Sequence, residues 1–130
     1  RITTFTHYQL KHNLKRRRIM TNNNILKTIE SQIQNNDIVL YMKGTREEPQ
    51  CGFSSAVSKL LSDLQLQYET VNVLDNPEIR EAVKQYTDWP TIPQLYIKGE
   101  FVGGFDIVKE MHSSGDLQAL LREKGLLSTT

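Results

Sequence analysis

A single cysteine, Cys51, stands in Pro49-Gln50-Cys51-Gly52-Phe53-Ser54, between a polar loop and a segment with helical apolar spacing. Any thiol chemistry of this chain rests on it. Downstream, Phe53, Ala56, Val57, Leu60, Leu61 and Leu64 recur at i, i+3, i+4, i+7, i+8 and i+11, the stripe expected of an amphipathic helix with one buried face. Cys51 then lies at the start of that helix. Unpaired backbone N–H groups and the positive end of the helix dipole favour an anion there, so the thiol should titrate below the usual value of about 8.5. A thiolate is both a nucleophile and a metal ligand. The bland alternative is a buried, inert cysteine packing as a small hydrophobe.

No other motif competes with it. His112, and His7 and His12 near the start of the chain, have no cysteine or second histidine at metal-ligand spacing. Paired carboxylates and a glycine-rich phosphate loop are both missing from the sequence. Trp89, followed by Pro90, reads as loop or core packing rather than a stacking platform.

The elements that must position Cys51 follow from periodicity. Ile25, Leu26, Ile29 and Ile33 mark a helix from about Asn24 to Gln34, ended by Asn35-Asn36-Asp37. Ile38-Val39-Leu40-Tyr41-Met42 is a continuous apolar run of strand length, expected where both faces of a central strand are covered. It leads through the polar loop Lys43–Gln50 into the cysteine helix, so the reactive site lies at the strand's carboxyl end. Tyr68, Val71 and Val73 predict a second strand, and Asp75 or Asn76 should cap a helix running to Tyr86 along Ile79, Ala82 and Val83. Asp88-Trp89-Pro90-Thr91-Ile92-Pro93 is a rigid connector. Gln94–Ile97 and Glu100–Val102 form a hairpin around Lys98-Gly99. Gly103-Gly104 allows close backbone approach, and Asp106 should open a helix that restarts at Gly115-Asp116 and ends near Gly125. The order implies an α/β, thioredoxin-like fold: a central four-stranded mixed sheet flanked by helices, with the first two strands parallel and the hairpin antiparallel at the other side.

The 130 residues suit one domain, and no apolar run approaches the roughly 18 residues that span a bilayer, so no membrane association is expected. A lone cysteine cannot form an intramolecular disulfide, which favours a reducing, cytoplasmic setting. Charge divides the chain. Residues 1–20 carry six basic side chains and no acid, leaving ten of the sixteen basic residues against all fifteen acidic ones, a formal −5, on the rest. That argues against nucleic-acid binding by the body. Residues 1–20 read as a basic arm, expected to be disordered, with Met20 a candidate natural start. The arm is then artefactual, or else a targeting segment that would send the protein to the mitochondrial matrix. Residues 21–130 form the domain.

Four motifs now stand in a recognisable order: Lys43-Gly44-Thr45, Cys51-Gly52-Phe53-Ser54, Trp89-Pro90-Thr91-Ile92-Pro93-Gln94 and Gly103-Gly104-Phe105-Asp106. Together they resemble the monothiol glutaredoxins, the family marked by Cys-Gly-Phe-Ser, over roughly Ile25 to Gly125. Any one of them alone would be weak. The resemblance implies a glutathione-binding domain that carries a 2Fe-2S cluster between two protomers, delivers it to iron-sulfur recipient proteins, and pairs with a BolA-type protein. It makes Cys51 the catalytic and metal-binding residue. Pro93 resembles the family's cis-proline, leaving the backbone of Ile92, next to Thr91, free to pair with glutathione as an added strand. Lys43 and Arg80 are implied near the glycine carboxylate, with Lys84 as a further candidate cation. N–H groups at Gly104 and Phe105 are implied to take the γ-glutamyl carboxylate and Asp106 its ammonium, with Phe53 completing the set. For Asp106 an ordinary N-cap is the alternative. Many relatives have a second cysteine where this chain has Phe105, so a disulfide to that position is excluded here.

Three functions remain open at this stage. The first is a glutathione-dependent carrier of iron-sulfur clusters. The second is an oxidoreductase in which Cys51 attacks glutathione mixed disulfides, Ser54 standing where a dithiol relative has its resolving cysteine. The third is a partner module for BolA-type proteins without redox chemistry of its own.

Overall fold

The computed structural model describes residues 23–127. The basic arm, with His7 and His12, and residues 21–22 and 128–130 lie outside the described residues. In chain order the elements are α1 (Asn23–Asn35), β1 (Ile38–Met42), α2 (Gly52–Asp63), β2 (Glu69–Asn72), α3 (Pro77–Thr87), β3 (Gln94–Ile97), β4 (Glu100–Gly103), α4 (Phe105–Ser114) and α5 (Asp116–Glu123). Each sequence-predicted element is present, with ends shifted by a residue or two.

The sheet order is β2-β1-β3-β4. β1 pairs in parallel with β2 and antiparallel with β3, which pairs antiparallel with β4. Alternate β1 side chains point to opposite faces. Ile38, Leu40 and Met42 join Val57 and Leu61 of α2, Val108 of α4, and Leu117 and Leu121 of α5. Val39 and Tyr41 join Leu26, Ile29 and Ile33 of α1 and Ile79, Ala82 and Val83 of α3. Helices thus cover both faces of β1, which is why its five residues are uniformly apolar and buried. At the β3–β4 turn, Lys98 and Gly99 both have positive φ, 52° and 80°, the backbone of a tight hairpin with right-handed strand twist. Asn76, not Asp75, caps α3: its side-chain oxygen accepts from Glu78 N (3.0 Å) and Ile79 N (3.4 Å).

Two expectations need correction. The buried face of α2 is Ser54, Val57, Ser58 and Leu61, whereas Phe53 is 57% exposed and Ala56 is exposed as well. The two serines are paired, so burial costs them little: Ser54 Oγ accepts from Lys43 N–H (3.0 Å), and Ser58 Oγ meets the Tyr68 hydroxyl (2.9 Å). Asp106 does not cap α4. That position is Gly104, and Asp106 sits in the first turn.

Candidate functional site

Strand register gathers the site at one end of the sheet. Tyr41 pairs with Gln94, so Lys43 leaves β1 beside the point where Ile92 and Pro93 enter β3. Leu95 pairs with Gly103, which brings the start of α4 to the same end. The parallel register of β1 and β2 sets the start of α3, with Arg80, there too.

The loop before Cys51 is closed at its base. Gln50 N–H donates to Lys43 O (2.9 Å), Gly44 and Pro49 form a bridge, and Thr45 N–H donates to Glu48 O (3.2 Å). Gly44 has φ +93°, and a Cβ there would stand 2.5 Å from both Gln50 N and Glu48 O. Only glycine fits. Gly44 N–H also donates to Asn72 Oδ1 (2.9 Å), tying the loop to β2. Arg46 lies 4.2 Å over the Tyr68 ring and donates to the Tyr68 carbonyl.

Cys51 is the N-cap of α2, half-buried, with extended backbone (φ −148°, ψ 133°). Burial pushes its thiol pKa up. The backbone N–H groups of Ser54 and Phe53, then the Lys43 ammonium, then the Ser54 hydroxyl together outweigh burial and hold it below the ordinary thiol value. Ser54, fully buried, takes the Lys43 N–H on its oxygen and offers its own proton to the sulfur. This contact between the end of β1 and the start of α2 was missed in the sequence, where Ser54 read only as a resolving cysteine's replacement.

The Ile92–Pro93 peptide, just before β3, is cis, with Ile92 and Pro93 buried and Thr91 exposed. Gly104 packs against this turn: a Cβ on it would lie 2.9 Å from Trp89 Nε1 and 3.2 Å from Pro93 O. Trp89 packs on Phe101, ring centroids 5.3 Å apart, as expected for a packing residue, and its Nε1 is buried without a hydrogen-bond partner. Phe53 stacks on the half-buried Phe105 (4.9 Å), whose ring lies 5.6 Å from the Lys109 ammonium.

Gln94, for which the sequence suggested no role, is fully buried. Its Nε2 donates to Trp89 O (3.0 Å) and Thr91 O (3.2 Å), and its Oε1 faces the Tyr96 hydroxyl (2.9 Å) and Thr87 Oγ1 (3.0 Å). Its signal was a polar side chain opening an otherwise apolar strand.

The candidate cations differ. Arg80 is half-buried, and its Nε is itself buried without a hydrogen-bond partner. Lys84 instead pairs with Glu81 at 3.3 Å. Asp106 is exposed. Among the described residues no three His, Cys, Asp or Glu gather as a metal site, and no helix is long and apolar enough to cross a membrane.

With this geometry in place, the relatives are informative. The glutaredoxin family model matches residues 38–102, from β1 into β4. A probable monothiol glutaredoxin 2 of Rickettsia felis is 50% identical over 103 residues, covering 79% of this chain and 99% of the relative. Monothiol glutaredoxin-5, mitochondrial, of Schizosaccharomyces pombe is 48% identical over 103 residues, 77% of this chain and 70% of that one. The crystal structure of a buckwheat glutaredoxin–glutathione complex superposes with a TM-score of 0.70 at 31% identity, over 80% of this chain and 93% of that one. A thioredoxin-like sheet with one cysteine at the head of α2, a cis-proline just before β3, and these relatives agree: the chain belongs to the glutaredoxin family, among its monothiol members.

Proposed function

We propose that the protein is a glutathione-dependent carrier of a 2Fe-2S cluster, held as cargo between two protomers by their Cys51 thiolates and the thiols of two bound glutathiones. The donor set supports this most directly. A 2Fe-2S cluster takes four ligands, usually thiolates, and this chain has one cysteine. Two protomers contribute two. A small thiol bound beside each Cys51 supplies the rest, and glutathione fits because the site offers what its ends require.

The Lys43 ammonium and the half-buried Arg80 guanidinium suit a carboxylate. The start of α4, with backbone N–H groups near Gly104 and Phe105 and the Asp106 carboxylate, suits an amino-acid head with both charges. Ile92, with Thr91 before it and cis-Pro93 after it, is the backbone that would pair with glutathione as an added strand, and the exposed Phe53 ring adds apolar surface two residues after Cys51. A glutaredoxin of the same fold in complex with glutathione adds weight to this reading. Ligands that are partly exogenous make the cluster labile, which suits a donor to iron-sulfur recipient proteins, and a BolA-type protein is the further partner in this proposal.

The lowered Cys51 pKa favours a second reading as an oxidoreductase. The Cys51 thiolate attacks the glutathione sulfur of a mixed disulfide and expels the target thiolate. A second glutathione thiolate then attacks the Cys51-bound glutathione, releasing Cys51 and oxidised glutathione. Ser54 cannot take the resolving role.

Anaerobic reconstitution with ferric iron and sulfide separates the readings. With glutathione present, visible absorption should rise and the apparent size should double, with Cys51→Ser colourless. A colourless unaltered protein that nevertheless reduces glutathione mixed disulfides would put the oxidoreductase first.

A further inference from the structure

We infer that Gln94 is a positioning residue for glutathione: its buried amide holds the Trp89 and Thr91 carbonyls inward, so that the intervening turn presents the Ile92 backbone to the ligand. The inference rests on the glutathione-binding reading and assigns a role to a side chain that touches neither sulfur nor ligand.

Its basis is the set of four neighbours. A primary amide has two N–H donors and one oxygen able to accept twice. Trp89 O and Thr91 O can only accept, which fixes Nε2 toward them and Oε1 toward Tyr96 and Thr87. Both Nε2 protons are thus placed, while Oε1 takes the Tyr96 proton and shares that of Thr87 with Val83 O (3.0 Å), all with no solvent exposure. It joins the end of α3, the connector and β3. The two carbonyls flank the stretch that must be shaped: Trp89 opens the turn, and Thr91 directly precedes Ile92. With Thr91 O bound from behind, the peptide plane leading into Ile92 is held in orientation. Gly104, which packs on Trp89 Nε1 and Pro93 O, closes the turn from the other side. An apolar residue at 94 would satisfy strand packing equally well, so packing alone does not account for a buried amide here.

Gln94→Met removes both donors at similar volume, and Gln94→Glu keeps the volume and an acceptor while leaving at most one donor, present only when the carboxyl is protonated. Tyr96→Phe is the control, because it removes a partner of Oε1 and leaves the two carbonyl contacts. Each protein is studied at a temperature where circular dichroism shows it folded. Readouts are calorimetric titration with glutathione and the pH midpoint of Cys51 alkylation. Both Gln94 variants should bind glutathione at least tenfold more weakly with an unchanged alkylation midpoint, while Tyr96→Phe loses thermal stability and keeps its affinity. Should Gln94→Met fail to fold, Gln94→Glu carries the comparison. Equal affinity in a folded Gln94 variant overturns the proposal, as does a loss matched by a displaced alkylation midpoint, which marks general loosening. No binding by the unaltered protein overturns the glutathione reading itself, and this inference with it.

Discussion

Gly44 and Gly52 lie on either side of the approach to Cys51, and the structure assigns them opposite responses to the same substitution. At Gly44 an alanine meets φ +93° and backbone atoms at 2.5, 2.5 and 2.9 Å, none of which can swing aside as a side chain would. Left-handed backbone costs a non-glycine residue about 1–2 kcal/mol and forced overpacking about 1–3 kcal/mol, so Gly44→Ala should destabilise by about 2–5 kcal/mol. A domain stable by about 5–15 kcal/mol survives this, though with its loop displaced. Because that loop begins at Lys43, whose charge lowers the thiol, the Cys51 alkylation midpoint should rise as well. At Gly52 a Cβ meets nothing within 4 Å, φ is not positive, and the residue lies exposed in the first turn of α2. Gly52→Ala should stabilise by about 0.4–1 kcal/mol, through the unfolded chain. The fold therefore does not require glycine beside the reactive sulfur; under the proposed function a bound glutathione or second protomer would, and Gly52→Ala should then lower the cluster yield while raising stability. Urea denaturation of both variants, with alkylation and reconstitution on the same samples, reads all of this. A Gly44→Ala protein within 0.5 kcal/mol of the parent, or a Gly52→Ala protein destabilised by more than about 1 kcal/mol, refutes the steric reasoning.

Other outcomes follow from the same geometry. Cys51 should alkylate with a midpoint below that of an ordinary thiol, and Lys43→Gln or Ser54→Ala should raise it. Since the folded pKa is depressed, the stability linked to Cys51 is full above the ordinary thiol pKa and is lost as pH falls through the folded value; Cys51→Ser should abolish that slope in denaturation measured across pH. Arg80→Ala and Asp106→Ala should weaken glutathione binding by calorimetry, Arg80 more, because a charge-assisted contact is worth about 1.5–3 kcal/mol when desolvated and less at the exposed Asp106. Asn76→Ala removes the acceptor for two N–H groups of α3 and should cost about 1 kcal/mol, read as a lower urea midpoint with an unchanged slope.

The parts of the fold that were legible in the sequence are those governed by apolar spacing: the five-residue β1, the hairpin around Lys98-Gly99, and the apolar faces of α1 and α3. The face of α2 was not. Periodicity scores Ser54 and Ser58 as polar, yet each reaches a buried partner, on the Lys43 backbone and on Tyr68, and so each can face inward while Phe53 turns out to stack on Phe105. Gln94 was opaque for the same reason, since its partners arrive from α3, the connector and β3 and share no sequence pattern. Motif order located Cys51, Lys43 and the Ile92–Pro93 turn. It could not reveal that Lys84 is taken up by Glu81 while Arg80 Nε has no partner, because that distinction depends on side-chain geometry.

Native mass spectrometry of the anaerobically reconstituted protein tests the proposed ligand count. It should show one species of two chains, one 2Fe-2S cluster and two glutathiones, four thiolates in all, that falls apart to bare monomers when glutathione is removed. A cluster carried by a single chain, or by a dimer without glutathione, would contradict it.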